Sequence, residues 1–403
     1  MADHGEVETA PPHVRTSGAL QIAVLAGLAA MGTLATNILL PSLPQMALAL
    51  NVTSVAVTSA ITIFLAVFAF GQLLVGPISD RYGRRWPVLI GFAVFFGGSV
   101  WCSLANDLPN LLVGRVLQAS GACATSVLSR AITRDMFSGP ALGRAMALIM
   151  IAMSAAPGFS PLLGGALEHA FGWRSEFAIV AAFAAIGSIA YSIVLGETHN
   201  SIRIALDPIA ISKAYLGLLG DRRFVVPAAS ISLVVGGLFS TFSAVPRLLI
   251  EELEFTPIQL GLFFAGTVLI VFGAGMLATK LASRYGLDRS IRAGLLATAA
   301  SSVAILLVAL LTPTFLLFLS AMSVFLLGMG IVAPLGTAQT LSPFGEKAGV
   351  ASALLGFWQM MNAAAGVWLV GAVSHEAMFA LGAVLTSFSP AALGLYALSP
   401  RLD

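Results

Sequence analysis

The chain has 403 residues, of which 58% are hydrophobic and only 9% are charged. Soluble domains carry about 25% charged residues, and a soluble protein of this length could not cover its surface with so few. A water-soluble fold is therefore excluded, and the composition predicts a protein embedded in a lipid bilayer. The net charge of +2 becomes informative only when the charges are located along the chain.

Twelve apolar runs follow one another, each long enough to cross about 30 Å of hydrocarbon as a helix. Helices are expected, because lipid offers no hydrogen-bond partner to an open strand edge. The sequence therefore predicts an all-α polytopic membrane protein. The predicted spans are Ala19–Leu40, Val57–Ile78, Pro87–Leu104, Leu111–Ile132, Ala141–Leu167, Trp173–Leu195, Phe224–Leu249, Pro257–Leu281, Ile291–Leu311, Thr314–Leu335, Ala348–Val373 and Ala377–Leu398.

The polar stretches divide these spans into two sets of six. Residues 1–18 predict a disordered cytoplasmic tail, and not a cleavable signal, because the apolar run that follows is too long for one. Residues 196–223 form the only long polar interruption and predict a cytoplasmic linker. We expect an N-terminal six-helix bundle over residues 19–195 and a C-terminal one over residues 224–398. The last residues, 399–403, form a short cytoplasmic C-terminus.

A basic tripeptide occurs at matching places in the two halves. The letters R-Y-G at residues 81–83 recur at residues 284–286, and each copy lies between two apolar runs. Such a repeat indicates duplication of a multi-helix membrane unit, which is how many secondary transporters are built.

Lysine and arginine are concentrated on one side of the predicted helices. With both termini on that side, three of the 20 Lys and Arg residues fall elsewhere, namely Arg115, Arg174 and Arg247. The positive-inside rule therefore places both termini in the cytoplasm.

The loop G-P-I-S-D-R-Y-G-R-R at residues 76–85 has to turn tightly at the membrane surface. Its one acid, Asp80, is placed to pair with Arg81, with Arg84 or with a cation at a neighbouring helix end. We interpret the loop as a latch that closes the cytoplasmic side and opens during transport. The alternative is that Asp80 is a solvated surface carboxylate.

Prolines and glycines interrupt the fifth apolar run, in A-P-G-F-S-P-L-L-G-G at residues 156–165. Proline removes a backbone hydrogen bond, and glycine lets another helix approach closely. Close packing against a neighbour is the simplest interpretation. The positions concerned are Pro157, Gly158, Pro161, Gly164 and Gly165.

These motifs together resemble those of the major facilitator superfamily, and within it the twelve-helix drug:proton antiporters near the bicyclomycin-resistance and chloramphenicol/florfenicol (Bcr/CflA-like) exporters. Besides the run at residues 156–165, the resemblance includes L-P-S-L-P at residues 40–44 and R-V-L-Q-A-S-G at residues 115–121. It covers the chain from Ala19 onward. The matching loop residues are Gly76, Asp80, Arg81, Gly83, Arg84 and Arg85.

The resemblance implies two pseudo-symmetric six-helix bundles in a bacterial inner membrane, around a central cavity. It implies that these bundles rock between inward-open and outward-open states, with residues 156–165 as a pliable seam between them. It also supports the latch. A monomer suffices for such a fold.

The sequence departs from the resemblance at one position. The family commonly has an acid four residues before the first proline of L-P-x-L-P, and this chain has Asn37 there. An asparagine side chain accepts a hydrogen bond but does not titrate. None of the 18 acids lies in the middle of a predicted span. The proton carriers that remain lie near an aqueous mouth, namely Asp80, Asp107 and Glu176.

Arg115 lies inside the fourth predicted span, where a guanidinium is costly unless it faces water or a partner. We expect Arg115 to orient the substrate and Asn37 to hold its side chain, while snorkelling of Arg115 toward water is the alternative. Polar residues on apolar spans complete the predicted cavity, although each has helix–helix hydrogen bonding as its alternative role. The candidates for substrate binding or coupling are Asn37, Arg115, Gln118, Gln339, Gln359 and Asn362.

Motifs for other activities are missing from the sequence. It has no G-x-x-x-x-G-K-[ST] loop, no Cys/His set with metal-ligand spacing and no nucleic-acid-binding motif. We therefore expect no enzyme activity, no cofactor, no metal and no nucleic acid. The expected partners are a small-molecule substrate, the lipid bilayer and protons as the coupling ion.

Three functions follow from this reading. Efflux of small amphipathic molecules such as antibiotics, by antiport, is favoured by the motif at residues 156–165. An uptake symporter or uniporter for a small polar or anionic metabolite is the alternative that Asn37 keeps open. A sensor or scaffold is disfavoured, because the longest polar segment, residues 196–223, is too short for an output domain.

Overall fold

The structure is a computed structural model that describes residues 18–198, 207–311, 314–373 and 376–398. Within this part of the chain, 12 helices are long and apolar enough to cross a membrane, as the sequence predicted. They are α1 Gly18–Asn37, α2 Ser59–Tyr82, α3 Arg85–Ser103, α4 Leu108–Met136, α5 Gly139–Phe171, α6 Arg174–Val194, α7 Arg222–Pro246, α8 Pro257–Tyr285, α9 Leu287–Leu311, α10 Phe315–Leu341, α11 Ala348–Val373 and α12 Ala377–Ala397.

Shorter helices join some of the long ones. After α1 the chain continues through a 3₁₀ turn, Leu40–Ser42, and a helix, Leu43–Ala49, each with a proline in its first turn, where no backbone N–H is needed. The predicted linker contains another helix, Pro208–Leu219, whose first turn is capped by Asp207. The predicted tail and C-terminus lie outside the described residues, apart from Gly18, which begins α1.

The two halves repeat one packing pattern. In the first half α1 contacts α4, α5 and α6, and α3 packs between α4 and α6; in the second half α7 contacts α10, α11 and α12, and α9 packs between α10 and α12. Glycines allow the closest approaches. Gly91 meets the backbone of Gly121 between α3 and α4, and Gly294 meets that of Gly328 between α9 and α10. The predicted pair of pseudo-symmetric six-helix bundles is therefore confirmed.

The repeated tripeptide ends α2 and α8 in the same way. Gly83 and Gly286 follow these helices with φ of 88° and 87°, a left-handed conformation that only glycine adopts at little cost. The repeat is thus a duplicated helix stop. We call the face where α2 and α8 end the basic face, and the other one the opposite face.

The halves meet along α2 with α11 and along α5 with α8. At the opposite face they are in contact: the Ser54 hydroxyl donates to Glu251 Oε1 at 2.7 Å, and Gly165 lies against the backbone of Pro257. At the basic face a cleft of about 580 Å³ separates α2 and α4 from the start of α11. The molecule is therefore sealed at the opposite face and open at the basic face.

Candidate functional site

A cavity of about 290 Å³ lies between the two halves, near the middle of the helices. Its wall is largely apolar, with phenylalanine and methionine side chains from both halves and a few hydroxyl and amide groups. The lining residues with large apolar or polar side chains are Thr33, Thr36, Phe64, Leu65, Phe68, Gln72, Ser126, Arg130, Met150, Met153, Phe239, Thr337, Leu341, Ser352, Leu355, Gln359 and Met360.

The cavity continues into the cleft at the basic face. Gln72, Arg130 and Ser352 line both spaces and form the neck between them. The side chain of Gln72 also lies against Gly356 of α11, where a β-carbon would collide with it. A molecule on the basic side thus has a route to the cavity, whereas the seal blocks the opposite side.

One of the six predicted substrate-binding or coupling candidates, Gln359, lines this cavity. The other five lie elsewhere in the open-cleft state seen here. Gln339 accepts a hydrogen bond from the Tyr396 hydroxyl at 2.8 Å, and the Asn362 amide donates to the carbonyl of Trp358 at 2.9 Å. The Gln339 bond joins α10 to α12, which is the helix–helix role that the sequence left as the alternative, whereas the Asn362 bond lies within α11.

Arg115 is fully buried between three helices instead of facing the cavity. Its guanidinium donates to the carbonyls of Ala35 on α1, at 3.0 Å, and Ala60 on α2, at 3.1 Å, and also to Gln118 Oε1. The centroid of the Phe64 ring lies 4.2 Å from the guanidinium carbon, a cation–π contact. Arg115 therefore ties α1, α2 and α4 together and does not snorkel to water.

The predicted hydrogen bond between Asn37 and Arg115 is not formed. The Asn37 amide donates to the carbonyl of Thr33 at 2.7 Å, one turn earlier on α1, and its Oδ1 has no partner among the described residues. Gln118 takes the place predicted for Asn37, since it accepts from Arg115 and donates to the Ser99 hydroxyl at 2.8 Å.

The loop at residues 76–85 centres on Arg84. Arg84 pairs with Asp80 at 2.6 Å and with Asp135 of α4 at 3.0 Å. Burial disfavours the charged guanidinium, but the hydrogen bonds and negative charges of these two carboxylates outweigh it and raise the pKa of Arg84. Of the predicted partners of Asp80, Arg84 is the one it binds. These bonds all lie within the first half.

The same loop also caps α3. The backbone N–H groups of Arg84 and Arg85 donate to the carboxylate of Glu197, at 2.8 and 3.3 Å. A carboxylate at a helix N-terminus is favourable, because the free N–H groups and the helix dipole attract negative charge.

Across the cleft from the loop lies Lys347, just before α11. The cleft thus separates the acid of the proposed latch from a cation of the second half.

The small residues of α5 lie at the contact between the halves. Gly158 faces Val268 of α8, and Gly165 faces the backbone of Pro257. Gly164 meets the carbonyl of Ile38 within the first half. Both prolines lie inside one continuous helix. Close packing is therefore observed at this motif, and its pliability stays a prediction.

Arg130 is the charged lining residue that sequence reasoning missed. It was assigned to the basic loops, because it stands near the end of the fourth predicted span and counts as a topological charge. The structure extends α4 to Met136, so Arg130 lies inside the helix and faces the route to the cavity. The helical periodicity of Ser126, Arg130 and Arg134, one turn apart, was the signal that could have revealed it.

Comparison with known proteins identifies transporters that are similar to this chain along most of its length. A model of the Major Facilitator Superfamily matches residues 25–368. The chain is 28% identical to the "Uncharacterized MFS-type transporter YdgK" of Bacillus subtilis (strain 168), over 91% of this chain and 92% of that protein. It is 28% identical to the "Multidrug resistance protein MdtL" of Salmonella heidelberg (strain SL476), over 87% of each. The crystal structure of the human organic anion transporter MFSD10 (TETRAN) has the same fold, with a TM-score of 0.68 and 18% identity, over 95% of this chain and 99% of that one.

Proposed function

We propose that this chain, which belongs to the Major Facilitator Superfamily, exports small amphipathic molecules, antibiotics among them, in exchange for protons. In this proposal the protein acts as a monomer in a bacterial inner membrane, with both termini and the basic face in the cytoplasm. We place it near the Bcr/CflA-like exporters, in keeping with the motifs at residues 40–44 and 156–165.

The cavity is the observation that carries this proposal. Its wall combines Phe64, Phe68 and Phe239 with Met150 and Met153. Methionine and aromatic side chains repack around ligands of different shape, which suits a transporter of varied amphipathic molecules. The relative named for multidrug resistance supports the same substrate class.

The seam between α5 and α8 supports alternating access. The contacts of Gly158 with Val268 and of Gly165 with Pro257 are van der Waals contacts of small residues. Such contacts allow one helix to slide or rock on another without breaking hydrogen bonds in the membrane. We propose that the halves pivot along this seam, closing the cleft at the basic face as the seal at the opposite face opens.

We propose that Glu176 binds the coupling proton. Asp80 is engaged by Arg84, and Asp107 caps α4 by accepting from the N–H of Asn110 at 2.8 Å. Glu176 is fully buried, its Oε1 accepts from the Ser42 hydroxyl, and its Oε2 has no partner among the described residues. A carboxylate buried with one hydroxyl partner is costly when ionised, so the sealed state favours the protonated acid.

The surroundings of Glu176 link its proton to the seal. Ser42 belongs to the turn Leu40–Ser42, which contacts α5 in its own half and α7 and α8 in the other. Nearby charges do not neutralise Glu176: Glu168 on α5 is negative, and Arg174 donates instead to Ala105 and Asn106. When the seal opens, the turn loses its contacts with the second half and water reaches Glu176. A proton from that side then favours closing.

Proteoliposomes with an imposed pH gradient, a pH-sensitive dye and a drug panel that includes chloramphenicol and bicyclomycin test the proposal. We expect at least one drug to be moved against its gradient while protons move the other way. Movement of drug and proton in the same direction would indicate an uptake symporter. Transport that ignores the pH gradient would indicate a uniporter and contradict proton exchange.

Glu176→Gln tests the proton site, because it keeps the shape and removes the titration. We expect this variant to lose gradient-driven transport and to keep the exchange of labelled for unlabelled drug. Glu168→Gln, a charge change on the neighbouring helix, should keep both activities. If exchange falls together with gradient-driven transport, Glu176 has a structural role and another group binds the proton.

A further inference from the structure

Arg130 is the only charged residue in the described lining of the cavity. It lies one turn beyond Ser126 on α4, at the neck that it shares with Gln72 and Ser352. Ion pairs between described residues engage other arginines, namely Arg84, Arg223 and Arg292, and no described residue accepts a hydrogen bond from Arg130.

The two acids in the described lining of the adjoining cleft are already engaged. Asp80 is paired with Arg84, and Asp207 accepts from the N–H of Ile209 at 2.9 Å as the cap of the linker helix. Arg134, one turn further along α4, also lines the cleft, and its positive charge acts on Arg130. The route from the basic face to the cavity is thus positive at its inner end.

A guanidinium within the membrane and without a counter-ion is costly. Its five N–H donors form a planar fork that fits a carboxylate or sulfonate in two parallel hydrogen bonds. The phenylalanine and methionine side chains line the same cavity as this fork. A ligand that satisfies both features has an anionic group at one end and an apolar body at the other.

We infer that this transporter prefers amphipathic organic anions, and that Arg130 binds their carboxylate or sulfonate group while the apolar body fills the cavity. The inference rests on the proposed function, and it narrows the substrate class. Gln72 and Gln359 line the same cavity and offer amide groups to further polar atoms of the ligand. Gain of a charge-assisted pair gives the anion about a 10- to 100-fold advantage over a neutral analogue.

Dansylglycine and its methyl ester are a matched pair of probes, since they differ in the one negative charge. We would measure their binding to the full chain in lipid nanodiscs by equilibrium dialysis, with empty nanodiscs as the blank. Wild type should bind dansylglycine at least about tenfold more tightly than the ester. Arg130→Gln should bring the ratio close to one with the ester affinity unchanged, and Arg130→Lys should keep part of the preference.

Arg144→Gln is the control, because it removes the same charge from an exposed position on α5. It should leave the ratio as in wild type. Equal affinities of wild type for the two probes, undetectable binding of dansylglycine, or an unchanged ratio in Arg130→Gln would overturn the inference. Export of neutral drugs alone would refute this inference and leave the proposed function standing. Anion binding through Arg130 without any export would support this inference and contradict the proposed function.

Discussion

The first half of the molecule carries buried charge at two places where the second half carries none. When Gly121 of α4 is aligned with Gly328 of α10, the position of Arg115 falls on Met322, which is also fully buried. When Gly83 is aligned with Gly286, the position of Asp80 falls on Ser283 and that of Arg84 on Leu287. The helices pack alike, but the chemistry differs.

This difference separates the helix packing that both halves share, which we call the frame, from the charged groups that the first half adds to it. Glycine contacts between α3 and α4 recur between α9 and α10, so they belong to the duplicated frame. Arg115 and the pair of Asp80 with Arg84 have no counterpart at the matching positions of the second half, so the frame does not require them. The charged group at the cavity, Arg130, also comes from the first half, where the second half has Thr337. The described residues that the second half contributes to the cavity wall are uncharged.

Removal of Arg115 should have the largest effect. Arg115→Ala should lower the free energy of unfolding by about 3–5 kcal/mol, because it leaves Gln118 without its donor and opens a cavity among α1, α2 and α4. Met322→Ala removes a side chain of similar length from the matching place and should cost about 2–4 kcal/mol. Unfolding in mixed micelles with increasing SDS measures both.

Two further variants sharpen this test. Arg115→Lys should not restore the stability of wild type, because a lysine lacks the planar fork that reaches Ala35, Ala60 and Gln118 together. Arg115→Met copies the second half and should restore the packing but not the hydrogen bond to Gln118. If Arg115→Ala costs no more than Met322→Ala, the buried arginine contributes only volume.

The shared frame should respond equally in both halves. Gly121→Val and Gly328→Val each drive a side chain into a neighbouring backbone, at Gly91 and Gly294, and each should cost about 1–3 kcal/mol. Gly97→Val, on α3 but with open space around its β-position, is the matched control and should cost under about 1 kcal/mol. A large cost in one half together with tolerance in the other would show that the halves do not share one frame.

The loop of the first half should matter more for transport than for stability. Asp80→Asn keeps the shape and removes the charge, and we expect it to hold the protein in the state that is open at the basic face. A hydrogen bond to a charged group contributes roughly 1.5–3 kcal/mol, which corresponds to about a tenfold lower transport rate or more. Transport by equal amounts of inserted protein in vesicles is the measurement.

Asp288→Asn is the control for that variant. It breaks the pair of Asp288 with Arg292, which is exposed and lies at the same face of the second half. Exposed pairs contribute about 0–1 kcal/mol, so transport should stay close to that of wild type. Wild-type rates in Asp80→Asn at equal expression would rule out the latch.

The fold could be read from the sequence because its signals are local. Long apolar runs and the repeated R-Y-G tripeptide at residues 81–83 and 284–286 predict helices and their duplication. The predicted ends of some helices came too early, since polar turns continue α4 to Met136 and α8 to Tyr285, beyond the apolar runs. Hydropathy does not detect a helix that leaves the hydrocarbon.

The site was harder to predict, because it depends on which way each side chain faces. Arg115, Gln118 and Asn37 were recognised as unusual residues in apolar helices. Their hydrogen-bond partners are backbone carbonyls and side chains of the same bundle. Arg130 was overlooked, although it faces the cavity. Periodicity shows which residues share one face of a helix. It does not show whether that face is turned toward the other bundle, because this depends on the tertiary structure.

The contacts that form the seal at the opposite face determine how strongly its opening depends on salt concentration. Among the described residues, the hydrogen bond from Ser54 to Glu251 and close contacts such as Gly371 against Val55 hold the halves together there. Each ion pair described above lies inside one half. Dissolved salt weakens attraction between exposed charges over a screening length of about 8 Å at 0.15 M, but it does not weaken van der Waals contacts. Opening toward that face should therefore proceed at nearly the same rate in fresh and in saline water.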